Sequence, residues 1–116
     1  MAIEVSLNTN NTPPVTVNPT THNVNSGNQT INWKRASGQP AFTFVGVTWW
    51  NASNPFSAPT FNQDSSEMSV TENNNSSGTS YSYTITVAFG GNEYKSLPQP
   101  VGRRLGNGGT PTIHNN

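Results

Sequence analysis

The chain has 116 residues, no cysteine, and five basic against five acidic side chains, for a formal net charge of zero. That length makes one domain with a single core, and the missing thiols exclude a disulfide framework or a cysteine metal site. Uncharged polarity replaces charge, with 18 Asn, 15 Thr and 13 Ser, so no long-range field draws the protein to nucleic acid or an acidic membrane, and copies repel one another little.

Ile3, Val5 and Leu7 alternate with Glu4 and Ser6, which predicts a first short strand at a sheet edge. Val15-Thr16-Val17 predicts a second, bracketed by Pro14 and Pro19. Proline donates nothing to a ladder, so this piece suits an edge or a crossing between sheets. Asn23 to Asn28 reads as a turn around Gly27, and Gln29 to Arg35 as a strand with Ile31 and Trp33 on one face. From Ala41 to Trp50, Phe42 and Phe44 hold one parity and Val45, Val47 and Trp49 the other, with Gly46 at the change. A glycine where the inward row switches parity predicts a β-bulge, here in a central strand. Asn51 to Asp64 is a long connection whose Phe56 and Phe61 tuck under the sheet edge, and Glu67 to Glu72 is a modest strand built on Met68 and Val70. Asn73 to Gly78 is a solvent-facing loop.

The clearest instruction runs from Tyr81 to Tyr94. Tyr81, Tyr83, Ile85, Val87 and Phe89 alternate with Ser82, Thr84, Thr86 and Ala88, the period of a half-buried strand. Gly90-Gly91-Asn92 tolerate positive φ, so Glu93 to Ser96 return as a hairpin partner. Leu97 to Pro100 is extended, residues 101–109 are glycine-rich and carry Arg103 and Arg104, and Thr110 to Asn115 predicts a last short strand. No helical apolar spacing of useful length occurs. The expected fold is all-β, an immunoglobulin-like antiparallel β-sandwich of about seven short strands. It forms a single domain over residues 1–116, with flexible polar segments at 1–14 and 98–116.

Motifs for chemistry are scarce. A Ser-His-Asp arrangement needs a base and an orienting carboxylate, and the chain offers only His22, His114 and Asp64, all in expected loops or tails. Glu67 and Glu72 fall on opposite faces of one strand and do not pair for acid–base work, so a solvated role is expected for both. The two histidines are far apart in sequence and give no local metal spacing. Gly106-Asn107-Gly108-Gly109 neither follows a strand nor opens a helix, so no phosphate cradle is expected. Neither a catalytic set nor a metal or cofactor is expected.

Contact residues are easier to name. Trp49 and Trp50 are adjacent and point to opposite faces of a strand, so at most one is core. The other is capped by a loop or exposed as an anchor for a protein or a sugar ring. Arg103 and Arg104 form an arm able to bridge to a neighbour's carboxylate. Ile113 sits in a strand-forming tail that can add to a neighbouring sheet.

A Trp-bearing strand, Phe42-x-Phe44-x-Gly46, Tyr81-x-Tyr83 and the terminal Pro111-x-Ile113-x-Asn115 together resemble the DP-EP family of small bacterial β-sandwich proteins. The resemblance covers about the whole chain and implies the sandwich fold. It also implies an aspartic-peptidase-like self-cleavage near a C-terminal Asp-Pro, but Thr110 stands at the aspartate's position. A hydroxyl cannot do a carboxylate's acid–base work at the same pKa, so the likeness supports the fold and counts against the activity.

The expected function is that of a non-catalytic module that self-associates, or attaches to another protein in a larger assembly, through sheet edges, tails and exposed aromatics. The alternatives are a self-cleaving protein and a glycan-binding module using Trp49 or Trp50. No apolar run is long enough to span a bilayer, and Met1 to Glu4 lack the start of a signal peptide. The expectation is therefore a protein of the cytoplasm or of an assembly such as a virion, without membrane insertion.

Overall fold

A computed structural model describes residues 2–25, 27–74, 78–97 and 110–116. Among these residues ten strands form, in the order β1 Ile3–Leu7, β2 Val15–Asn18, β3 Thr21–Val24, β4 Gly27–Arg35, β5 Thr43–Trp49, β6 Thr60–Phe61, β7 Glu67–Asn74, β8 Ser80–Phe89, β9 Asn92–Lys95 and β10 Thr112–Asn115. No helix among them is long and apolar enough to cross a membrane.

The alternation in β8 holds for Tyr81, Tyr83, Ile85 and Val87, which are buried in the core, but Phe89, expected in the same row, is exposed at the strand end, and Thr84 and Thr86 of the other row are buried as well. Phe89 pairs with Asn92, leaving Gly90 and Gly91 as the two central residues of the hairpin turn at φ 61° and 84°. Two successive positive φ values define a type I′ turn, whose twist matches the strands it joins. In β5 the register slips between Phe44 and Gly46, so Val45 is the extra residue of a bulge. The slip lets Phe44 and Val47 both face the core despite their unlike parity.

The strands make two facing sheets. One runs β2-β1-β4-β7-β6 and the other β3-β10-β8-β5, with β9 also paired to β8. The fold is thus an all-β sandwich, but its sheets are mixed rather than antiparallel, because β1 runs parallel to β4 and β3 parallel to β10. Three positional expectations are corrected with it. β1, expected at an edge, lies between β2 and β4, whereas β5, expected to be central, ends its sheet. The stretch read as a turn before Gly27 begins with β3, and ten strands stand where about seven were expected. Alternation identifies a strand and its inward face, but says nothing of which strand lies beside it.

β1 and β10 fall within the end segments expected to be flexible, and both are inner strands, each bonded on two sides. β9 and β10 follow one another along the same side of β8. The Ser96 amide donates to the Ile85 carbonyl at 3.0 Å, and the Tyr83 amide donates to the Pro111 carbonyl at 3.0 Å. Residues 98–109 between them, with the expected flexible arm, lie outside the described residues.

The two layers meet through aromatic side chains. Trp33 of β4 has no exposed surface and donates its indole N–H to the Tyr83 hydroxyl at 3.1 Å. The two rings meet edge to face, 5.3 Å apart at 70°. Burial raises the pKa of the Tyr83 phenol against the opposing effect of the Trp33 hydrogen bond. At the rim of the first layer, Arg35 donates to the Phe42 carbonyl and lies over the Phe42 ring. Replacing Tyr83 with Phe leaves the buried Trp33 N–H without its acceptor and is expected to cost about 1–3 kcal/mol in urea unfolding.

Candidate functional site

The paired tryptophans divide as alternation requires. Trp49 turns inward, where its ring stacks on Phe56 at 3.7 Å and 4° and meets Tyr83 at 5.4 Å. Trp50 turns to the outer face of the second sheet. Its indole N–H donates to Thr84 Oγ1 at 2.9 Å, and the Thr84 hydroxyl donates to the Leu97 carbonyl at 2.9 Å. Thr84 is thereby buried although it lies on the outward row of β8. Trp50 keeps part of its surface in solvent. Phe56 does tuck against the sandwich, but Phe61 does not: it lies on the two-residue edge strand β6 and is 41% exposed.

Ile113 is not available as a contact. It has no exposed surface and sits between His22 of β3 and Tyr81 of β8 in the second sheet, because β10 is an inner strand. Arg103 and Arg104 lie outside the described residues.

The catalytic groups do not converge. The Ser80 hydroxyl and His114 Nδ1 lie 2.7 Å apart across β8 and β10, and beside them Ser82 Oγ and Thr112 Oγ1 lie 3.3 Å apart. A hydroxyl beside an imidazole is the beginning of a nucleophile, but it needs an orienting carboxylate. Asp64 is held elsewhere, accepting from the Ser66 hydroxyl at 2.7 Å and its amide at 3.2 Å, contacts that lower its pKa. Ser65 of the same turn accepts from the Phe44 amide, and Phe44 pairs with Val87, seven residues along β8 from Ser80. That span is roughly 23 Å at about 3.3 Å per residue. Among the described residues no three His, Asp or Glu side chains gather as a metal site would require.

One polar cluster escapes the sequence reading. Glu72, expected to be solvated, has no exposed surface, because it continues the inward row of Met68 and Val70 on β7. Asn115 of β10 is equally buried and faces it from the other sheet. Both oxygens of Glu72 and both polar atoms of the Asn115 amide lack a hydrogen-bond partner. Burial raises the Glu72 pKa, while the neighbouring Asn115 amide works the other way. Shared parity with Met68 and Val70 was the available signal, although a glutamate is rarely buried without a partner. Next to the pair, Gln29 and Val24 line a groove of about 500 Å³ between β3 and β4, together with His22 and Asn23. Burial lowers the His22 pKa.

No protein-family model matches the chain, and no curated protein matches it in sequence.

Trp33 is buried, whereas Trp49, under the stacked ring of Phe56, and Trp50 each keep part of their surface in solvent, on opposite sides of the second sheet. Replacing Trp50 with Phe is expected to reduce, without abolishing, the quenching of tryptophan fluorescence by acrylamide, with a stability loss of about 1 kcal/mol for the Thr84 hydrogen bond.

Proposed function

We propose that the protein is a non-catalytic interaction module that self-associates by laying the free edge of β5 against the same edge of a second copy. The observation that carries this reading is the contrast between β5 and the other sheet edges. β2 has four residues with Pro14 before it and Pro19 after it, β3 has four, and β6 has two. β9 carries Glu93 and Lys95. Short length, proline and charge are the devices that keep edges from pairing. β5 has seven residues, TFVGVTW, with neither charge nor proline.

The bulge at Val45 twists the start of this edge, and the Phe44 amide is already bonded to the Ser65 carbonyl at 2.8 Å. The open part is therefore Gly46 to Trp49. Trp50 donates to Ser82 at 3.0 Å, so by the alternation of an antiparallel ladder the backbone groups of Val47 and Trp49 turn away from β8. Two such edges related by a two-fold axis pair antiparallel and complete each other's hydrogen bonds. The uncharged surface adds no repulsion between the copies. Such work suits a chain that remains in the cytoplasm or is built into a particle.

The tails contribute less, since both strand-forming ends are already bonded on two sides within their own sheets. A glycan reading has only the partly buried Trp50, whose indole N–H is already committed to Thr84. The pairing of β4 with β7, and of β8 with β5 and β9, supports an immunoglobulin-like arrangement for the sandwich.

Light scattering over a dilution series tests the proposal. The wild-type chain is expected to pass from monomer to dimer with rising concentration. The double variant Val45→Lys and Thr48→Lys, which places like charges on both pairing edges, is expected to stay monomeric with its circular-dichroism spectrum unchanged. A wild-type chain that stays monomeric at high concentration, or a variant that dimerises equally well, overturns it.

A further inference from the structure

We propose that Glu72 is held as the neutral acid and pairs head to head with Asn115, forming a proton-dependent clasp that ties the C-terminal strand β10 to β7 across the two sheets. The four polar atoms without partners are the two oxygens of Glu72 and the nitrogen and oxygen of the Asn115 amide. A protonated carboxyl offers one donor and one acceptor, and a carboxamide offers the complement. Glu72 O–H donates to Asn115 Oδ1, Asn115 Nδ2–H donates to the other Glu72 oxygen, and no partner need come from outside. An ionised Glu72 is acceptor-only. It would leave Asn115 Oδ1 facing a negative oxygen and would place an uncompensated charge where no surface is exposed.

Among the described residues no cationic side chain is placed to hold the ionised form. On β4, Gln29 pairs with Glu72, while Lys34 lies five positions away in register with Glu67. Arg35 is bonded to the Phe42 carbonyl, and Lys95 to Thr86 Oγ1 at 2.9 Å. The connection packed on β7 contributes Phe56, which bridges to Glu72 and meets the ring of Tyr81 on β8 at 5.3 Å. On β10, His114 turns to the other face and contacts Ser80. On β3, His22 pairs with Ile113, and burial favours its neutral form.

The clasp sits where β10 is otherwise held by backbone bonds. The backbone N–H of Asn115 donates to the Thr79 carbonyl at 2.9 Å, and the backbone N–H of Thr112 donates to the Thr20 carbonyl at 2.8 Å. Losing the proton sets β10 loose from the first sheet and weakens β3 beside it. In the folded chain burial raises the Glu72 pKa above the ordinary glutamate value of 4.5, so above that value the unfolded chain binds fewer protons than the folded one. The clasp's contribution is complete below about pH 4.5 and is lost as pH rises through the raised folded value.

Glu72→Gln tests this, because a Gln–Asn pair makes the same two hydrogen bonds at every pH. Near pH 4 the wild type and the variant are expected to melt together. By neutral pH the wild type is expected to melt roughly 3–6 °C lower, a shift typical of about 1 kcal/mol in a domain of this size. Its Thr112 and Asn115 amides are then expected to exchange hydrogen faster than the variant's at the same pH. His22 titrates in both proteins, so its contribution cancels in the difference. Parallel melting profiles, or a wild type that gains on the variant as pH rises, overturn the proposal. A carbon NMR titration of the wild type, labelled at its four glutamates Glu4, Glu67, Glu72 and Glu93, serves if the variant does not fold. The Glu72 carboxyl is expected to titrate above the ordinary glutamate value of 4.5, and a Glu72 that titrates at or below it overturns the clasp.

Discussion

At the centre of the sandwich the two sheets meet where the indole N–H of Trp33 donates to the hydroxyl of Tyr83, in a space with no exposed surface. Large aromatic rings fill the middle of the sandwich with few side chains, but each brings a polar atom that water would otherwise satisfy. Joining the two atoms to each other removes both costs in a single bond. It also ties β4 to β8 across the two layers, and Trp49 and Phe56 continue the aromatic layer. A chain with so little charge depends on shape and neutral hydrogen bonds for specificity, and this contact supplies both.

β8 is the strand around which the second sheet is built. β5 takes one side of it for most of its length, and β9 and β10 share the other. Among the described residues, that arrangement leaves the Gly46 to Trp49 part of β5 without a strand on its outer side. The remaining edges are short, flanked by proline or charged, so the molecule concentrates its unpaired backbone groups in one place. An edge of this kind is a hazard in a monomer and an asset in an assembly, and its neutral residues suit the second use.

The Glu72–Asn115 pair represents the opposite strategy, polarity placed inside rather than left at the surface. It joins the last strand of the chain to the partner of β4, at the end of the sandwich where the first sheet gives way to the groove beside β3. An apolar pair would fill the same space with no sensitivity to pH. The polar pair makes the closure of the fold depend on a proton, and the strand it holds is the one whose docking completes the second sheet.

Alternation alone decided much of this protein. The inward rows of β4, β7 and β8, the glycine turn after Phe89, the break in parity at Gly46, and the division of Trp49 from Trp50 follow from a side-chain period of two, which is a local property. Only the tertiary structure decided which strands are neighbours. β1 beside β4 and β10 beside β3 are parallel pairs joined through distant parts of the chain, and no short-range pattern encodes them. The same limit hid the candidate site. Glu72 was visible as inward-facing once Met68 and Val70 set the parity, but Asn115 lies 43 residues away in sequence, and its meeting with Glu72 exists only once two sheets are laid face to face. Local geometry sets the direction of a side chain; the packing of one layer on another sets what it meets there.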